Sequence, residues 1–379
     1  MRILAGAALV ALATSAGAQD GPERGGFVTR LGSDTIAVER FVRTRDSIAG
    51  EMIGRSPKTT RYAYVARLGR DGNVTTYTAV VYAAGGADAP VRVRYDAELR
   101  DDSVHVTVKR GDATRTQAEA MRQGAVPLLE PAYGLHEILV SRAFAAAGKS
   151  LRFSWWFVGD GPDTGTIIRA KPGLVLIRTP TDTIRVETDA TGEIMYATDP
   201  GGTLQATVAR IPYPVADVDK WATVFAARDA KGNQLGALSP RDTVRATVGG
   251  AHVLVDYGRP SRRGRAIFGG VIPYNAVWRT GANAATTLVT DRDVTIGDAK
   301  VPAGEYTLFS VPTADAWTLI ISKKTKEWGT DYDSTADFAR VPMTVSSGAP
   351  VEQFTIGIDP DGLSFAWDTR IGRVHVATQ

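Results

Sequence analysis

The stretch RAIFGGVIPYNAVWRTGAN, Arg265 to Asn283, concentrates residue types that could recognise a ligand. Arg265 and Arg279 each carry a rigid fork of donors that matches a carboxylate or phosphate bidentately. Trp278 offers an apolar wall, and Asn283 an amide that both donates and accepts. Gly269-Gly270 and Gly281 permit backbone angles closed to other residues, and Pro273 fixes one dihedral. Joined by Arg340 and Glu352, these residues could hold an anionic or polar ligand. The same residues admit a structural reading. In it Arg279 pairs with a buried carboxylate such as Glu352, and Asn283 closes a turn on its own backbone. No nucleophile or general base stands within the stretch, so no residue is assigned to catalysis.

Elsewhere, standard catalytic signatures fail. The sequence holds four His: His105, His136, His252 and His375. No two of them have metal-ligand spacing. His136-Glu137 starts like a zinc-protease helix, but Val140 occupies the position of the second ligand. That makes it a helix surface or a satisfied core histidine. Gly148-Lys149-Ser150 lacks the first glycine of a phosphate loop, Ala143 standing there, and reads as a helix end. Gly362-Leu363-Ser364-Phe365-Ala366 lacks the second glycine of a nucleophile elbow. Asp359-Pro360-Asp361-Gly362 reads as a hairpin turn, and Asp331, Asp333 and Asp337 as a solvated loop, rather than as calcium loops. No metal or cofactor is expected. A hydrolase would have to assemble its acid and base from scattered groups such as His252, Glu352 and Asp368, beside the WRTGAN loop.

The elements that must position these residues are strands. Tyr62–Leu68 and Val74–Tyr82 flank the turn GRDGN. Val91–Leu99 alternates Val91, Val93, Tyr95 and Ala97 against Arg92, Arg94, Asp96 and Glu98, the pattern of a half-buried antiparallel strand. Tyr133–Ala147 has helical spacing and stops at Gly148. Further strands run to Ile211. This order predicts a curved antiparallel sheet or half-barrel with one helix, at 19–214. Pro212 and Pro214 break it, and Asp217 can cap a short helix through Ala230, predicting a helical linker at 215–235. From 236 to 379, short strands with turn-type breaks, among them Val341–Val345, Gln353–Ile358, Leu363–Trp367 and Arg373–Ala377, predict an antiparallel sandwich of jelly-roll type.

Five motifs lie in order within this last third: RGRAIFGGVIPYNAVWRTGANAATT, VPAGEYTLFSVP, WTLIISKKTKEWG, FARVPM and VEQFTI. Together they resemble the bacterial family called domain of unknown function 2911. The resemblance covers about Leu238 to Ala377 and implies an exported bacterial protein with no established activity. It leaves the first two-thirds of the chain unassigned.

At 379 residues the chain is long enough for two domains. Its 22% charged and 44% hydrophobic residues describe a globular chain. A net charge of +3, with no Lys/Arg block, points away from nucleic acid. Arg2, the apolar run Ile3–Ala13 and the small-x-small site at Ala16 to Ala18 predict a signal peptide at 1–18. That run is too short to span a bilayer. Cys is absent, which removes disulfides and thiolate chemistry. The expectation is a periplasmic or secreted, non-catalytic protein that binds a small molecule or an envelope component. The alternatives are the hydrolase above and a carrier of apolar ligands in the N-terminal half-barrel.

Overall fold

The computed structural model describes residues 21–378 except 87, 101, 123, 158–160, 180–182, 200–203 and 233–234. The expected signal peptide lies outside them. The chain divides into two units, Met1–Gly236 and Ala237–Gln379. Each is built mainly of antiparallel strands, and neither sheet closes into a barrel.

In the first unit one set of strands steps away from the chain start and a second set returns to it. The first set is β1 (Glu23–Leu31), β2 (Asp34–Arg43), β3 (Ser47–Gly54), β4 (Thr60–Leu68), β5 (Val74–Tyr82), β6 (Val91–Leu99), β7 (Ser103–Arg110) and β8 (Ala113–Ala120). The second is β9 (Val126–Leu128), β10 (Ser150–Phe157), β11 (Gly161–Lys171), β12 (Leu174–Arg178), β13 (Thr183–Thr188), β14 (Ile194–Thr198) and β15 (Thr207–Ile211). Both join in one sheet in which β1 pairs with β15, leaving β8 and β9 as the two edges. The GRDGN turn forms as its residues dictate: Gly72 takes φ +77° and Asp71 Oδ1 accepts from Asn73 N at 3.0 Å. In β6, Val93 and Ala97 are buried and Arg92 and Glu98 exposed, as the alternation requires. Val91, at its start, stays exposed.

The sheet is curved, and a single core fills its inner face. Phe27, Phe41, Tyr64, Tyr77 and Trp156 pack there around α1 (His136–Ala145). Tyr77 meets Trp156 edge-on at 6.4 Å, and Trp156 Nε1 donates to Glu119 Oε2 at 3.2 Å. Those two contacts carry β10 across to β5 and β8. Because α1 lies inside the curve it buries His136, Glu137 and Val140 as well as Ile138 and Leu139.

The second helix, α2 (Val218–Ala230), is capped as expected. Asp217 accepts from the N–H groups of Asp219 and Lys220. The helix packs Ala222 and Phe225 against Val28, Val38 and Ile53 of β1–β3, on the side opposite the main core. Those strands are therefore apolar on both faces, which explains the unbroken buried runs in β1 and β2.

The second unit contains β16 (Arg241–Val248), β17 (Ala251–Gly258), β18 (Thr286–Thr290), β19 (Val294–Ile296), β20 (Ala299–Val301), β21 (Gly304–Pro312), β22 (Trp317–Ser322), β23 (Asp337–Asp359) and β24 (Gly362–Thr378). Four strands read separately from the sequence, at 341–345, 353–358, 363–367 and 373–377, form one long hairpin, β23–β24. Its register shifts between Ser347 and Val351 and again before Thr355, around Gly348 and Pro350. The shift lets the second half of β23 lie across β17. There Ile356 N donates to Tyr257 Oη at 3.0 Å, and Phe354 meets the Tyr257 ring edge-on at 5.8 Å. The folded-over sheet encloses Trp278, Trp317, Phe354, Phe365 and Trp367, a sandwich core.

Candidate functional site

The WRTGAN loop crosses the end of this sandwich and is pinned from both sides. Trp278 exchanges two backbone hydrogen bonds with Ser310 of β21, at 2.7 and 2.9 Å. Its indole is only 4% exposed, stacked on Trp367 at 6.0 Å and edge-on to Phe354 at 4.9 Å. The indole N–H has no hydrogen-bond partner among the described residues. Thr280 Oγ1 donates to Ser310 Oγ at 2.9 Å, and Thr286 Oγ1 donates to the Thr280 carbonyl at 2.8 Å. Thr280 and Asn283 both sit at positive φ, 49° and 64°, so the turn is held in a conformation that Asn tolerates well. Arg279 leans on Gly329, and burial pushes its guanidinium pKa down.

The other expected members are distributed over two networks. Arg265 donates to the carbonyls of Ser261, at 2.6 Å, and Arg262, at 3.0 Å. Glu352 Oε1 accepts from Arg263 N at 2.8 Å, while its carbonyl accepts from Arg262 N and from the Trp367 indole. These two residues share the 261–265 turn. Arg340 belongs elsewhere: it donates to Asp337, at 2.8 Å, and to Tyr332, at 2.6 Å. The groups considered for hydrolysis are similarly occupied. Asp368 lies 3.3 Å from Arg262 Nε, and His252 Nδ1 is 3.1 Å from Thr247 Oγ1.

Sequence reasoning missed the surface beside this loop. Trp328 is 52% exposed, yet its backbone is fixed. It bridges to Ala284, Gly329 N donates to Asn283 O at 2.9 Å, and Ala285 N donates to Glu327 O at 3.1 Å. Lys323, Lys324 and Lys326 precede it and are exposed. Lys323 lies over the Phe338 ring at 4.9 Å, and Lys324 pairs with Glu327 at 2.8 Å. The signal was present in the sequence as KKTKEW, but only the fold shows that Trp328 faces out while Trp278 faces in.

A second concentration of polar groups lies inside the first unit. Leu135 gives α1 no side-chain cap. Glu39, reaching in from β2, accepts from Tyr133 N at 2.6 Å and Gly134 N at 3.1 Å, and from Tyr64 Oη at 2.5 Å. Burial nevertheless outweighs these donors and raises its pKa to about 7. Glu137 receives Arg210 at 2.7 Å and Ile194 N at 3.1 Å, and burial raises it too to about 7. Arg210 also holds Glu23 and Glu193 and lies over Phe27 and Phe41. His136 stacks on Tyr133 at 4.5 Å, and burial lowers its pKa to about 4. These groups anchor the helix inside the curve.

Comparison with known proteins covers the two units unequally. Residues 239–376 match the family model described as "Protein of unknown function (DUF2911)". The WRTGAN loop and the Trp328 turn both lie within the matched residues. No curated protein matches the chain. Among solved structures, one similar chain is a DUF1089 family protein from Pseudomonas aeruginosa, at 14% identity and TM-score 0.33. That match covers 43% of this chain and 89% of the other. Another is a β-barrel-like protein of the domain of unknown function DUF1849 from Brucella abortus, at 14% identity and TM-score 0.35. It covers 50% of this chain and 96% of the other.

Proposed function

We propose that the protein is an exported, non-catalytic binding protein of the bacterial envelope. It engages its ligand or partner at the end of the DUF2911 sandwich. The observation that carries this reading is Trp328: a large aromatic more than half exposed on a backbone fixed by the WRTGAN loop. An exposed aromatic on a rigid support loses little freedom on binding, and such residues dominate recognition surfaces. The loop residues themselves serve as the frame. Trp278 is core, Asn283 closes the turn, and Arg265 and Glu352 tie the neighbouring turn. No helix among the described residues is long and apolar enough to cross a membrane.

Native mass spectrometry of the chain taken from its own host tests the binding reading. The wild type is expected to carry an added mass that Trp328→Ala loses with the fold intact. A bare wild type, or a variant that keeps the mass, overturns it. Export is tested separately, by sequencing the N-terminus of the mature protein. Gln19 at or near the start is expected, and an intact Met1 in a cytoplasmic fraction rejects it.

A further inference from the structure

The β8 edge of the first unit's sheet comes close to β11 without pairing with it, and a cavity of about 350 Å³ opens at that seam. One wall comes from Asp102, Met121 and Arg122 beside β8; the other comes from Ser154 of β10 with Asp163 and Thr164 of β11. The volume lies at the small end of the range for small-molecule sites, about 300–1,000 Å³.

Ser154 is the informative residue. It is 2% exposed, and its hydroxyl has no hydrogen-bond partner among the described residues. A buried hydroxyl left without a partner is costly, and it lines the cavity. It stands directly across the β10–β11 pair from Thr164, so two hydroxyls line one wall. Asp163 and Asp102 add acceptors on opposite walls, each already holding one local donor: Thr164 N at 2.6 Å and Ser103 Oγ at 3.2 Å. Arg122 adds the donors, and Met121 a buried apolar floor.

Two carboxylates repel an anion, and Arg122 offsets part of their pull on a cation. Among the described residues no group of three carboxylates or imidazoles gathers to hold a metal. A neutral molecule with several hydroxyls satisfies every wall at once, since each hydroxyl donates to an aspartate and accepts from Ser154, Thr164 or Arg122. Its C–H faces can rest on Met121. We infer that this seam cavity binds a small neutral polyol of monosaccharide size, independently of the surface around Trp328.

The test uses the full chain, with glucose as the neutral probe and glucosamine and glucuronate as its charged counterparts. Saturation-transfer NMR titrations give the affinities. Glucose is expected to saturate and to bind more tightly than either charged sugar. Ser154→Ala and Asp163→Asn should each weaken glucose by about tenfold, the size of one lost net hydrogen bond. Ser154→Ala removes a costly buried hydroxyl with no partner among the described residues, so its unfolding midpoint should stay at or above the wild-type value. Asp163→Asn is a second probe, at the Trp155–Asp163 pair next to that of Ser154 and Thr164. Absence of saturable glucose binding, tighter binding of glucosamine or glucuronate, or unchanged affinity in both variants would overturn the inference.

Discussion

Gly329 shows how tightly a single residue can be specified. A β-carbon there would meet the Arg279 side chain and come 2.7 Å from the Asn283 carbonyl oxygen. The backbone contact cannot rotate away. Gly329→Ala should therefore destabilise the second unit by about 1–3 kcal/mol, the range for overpacking. Denaturant midpoints measure it, and an unchanged midpoint would mean that the loop is looser than described. The buried ionisable groups of the first unit make a pH prediction. Glu39 and Glu137 have folded pKa values of about 7 against an unfolded value of 4.5. Between those values the folded state holds more protons than the unfolded one, so each carboxylate lowers stability as pH rises through that window. His136, shifted down to about 4 from 6.5, acts in the opposite direction up to pH 6.5. It offsets one of the two carboxylates. Glu39→Gln should thus make the slope of stability against pH more positive than in wild type, from about pH 4.5 to 7. Equal slopes would show that Glu39 ionises normally.

At the scale of elements, α2 illustrates docking by one face. Phe225 is fully buried against the sheet and also lies under the Arg55 guanidinium, at 5.3 Å. Polar ties flank it: Thr59 Oγ1 donates to Asp229 at 2.6 Å, and Arg61 bridges Asp219 and Glu51. Phe225→Ala removes the central apolar contact and should cost about 3–5 kcal/mol. Protease sensitivity focused on residues 214–236 would report detachment of the helix. Cleavage no faster than wild type would assign the docking to the flanking polar ties.

For the whole molecule, the division at Gly236 and Ala237 leads to a prediction about autonomy. The second unit has its own core, running from Val248 to Val376. A polypeptide of residues 237–379 should fold alone and unfold in one cooperative transition, as small domains do. A broad, non-cooperative melt would show that its stability depends on the first unit.

Much of this architecture was legible in the residues. Alternation in Val91–Leu99, the GRDGN turn, the Asp217 cap and the five motifs of the last third are local signals, and local physics fixes them. The mainly β class and the curved first sheet follow from their order. Other features depend on which distant residues meet. The polar strand β8, ATRTQAEA, has no apolar period, and it forms because β7 offers a partner. The single β23–β24 hairpin looked like four strands because its bend is set by register, which periodicity does not encode. Glu39 reads as one acid in a strand; only the fold brings it to the N-terminus of a helix nearly one hundred residues later, at |i−j| = 94. Trp278 and Trp328 are the same residue type in one neighbourhood, one buried and one exposed. The sequence determined that this chain would build two strand-rich units with a constrained loop at WRTGAN. Which polar groups are buried, and which aromatic is offered to a partner, was decided by tertiary packing, because burial depends on contacts between residues far apart in the chain.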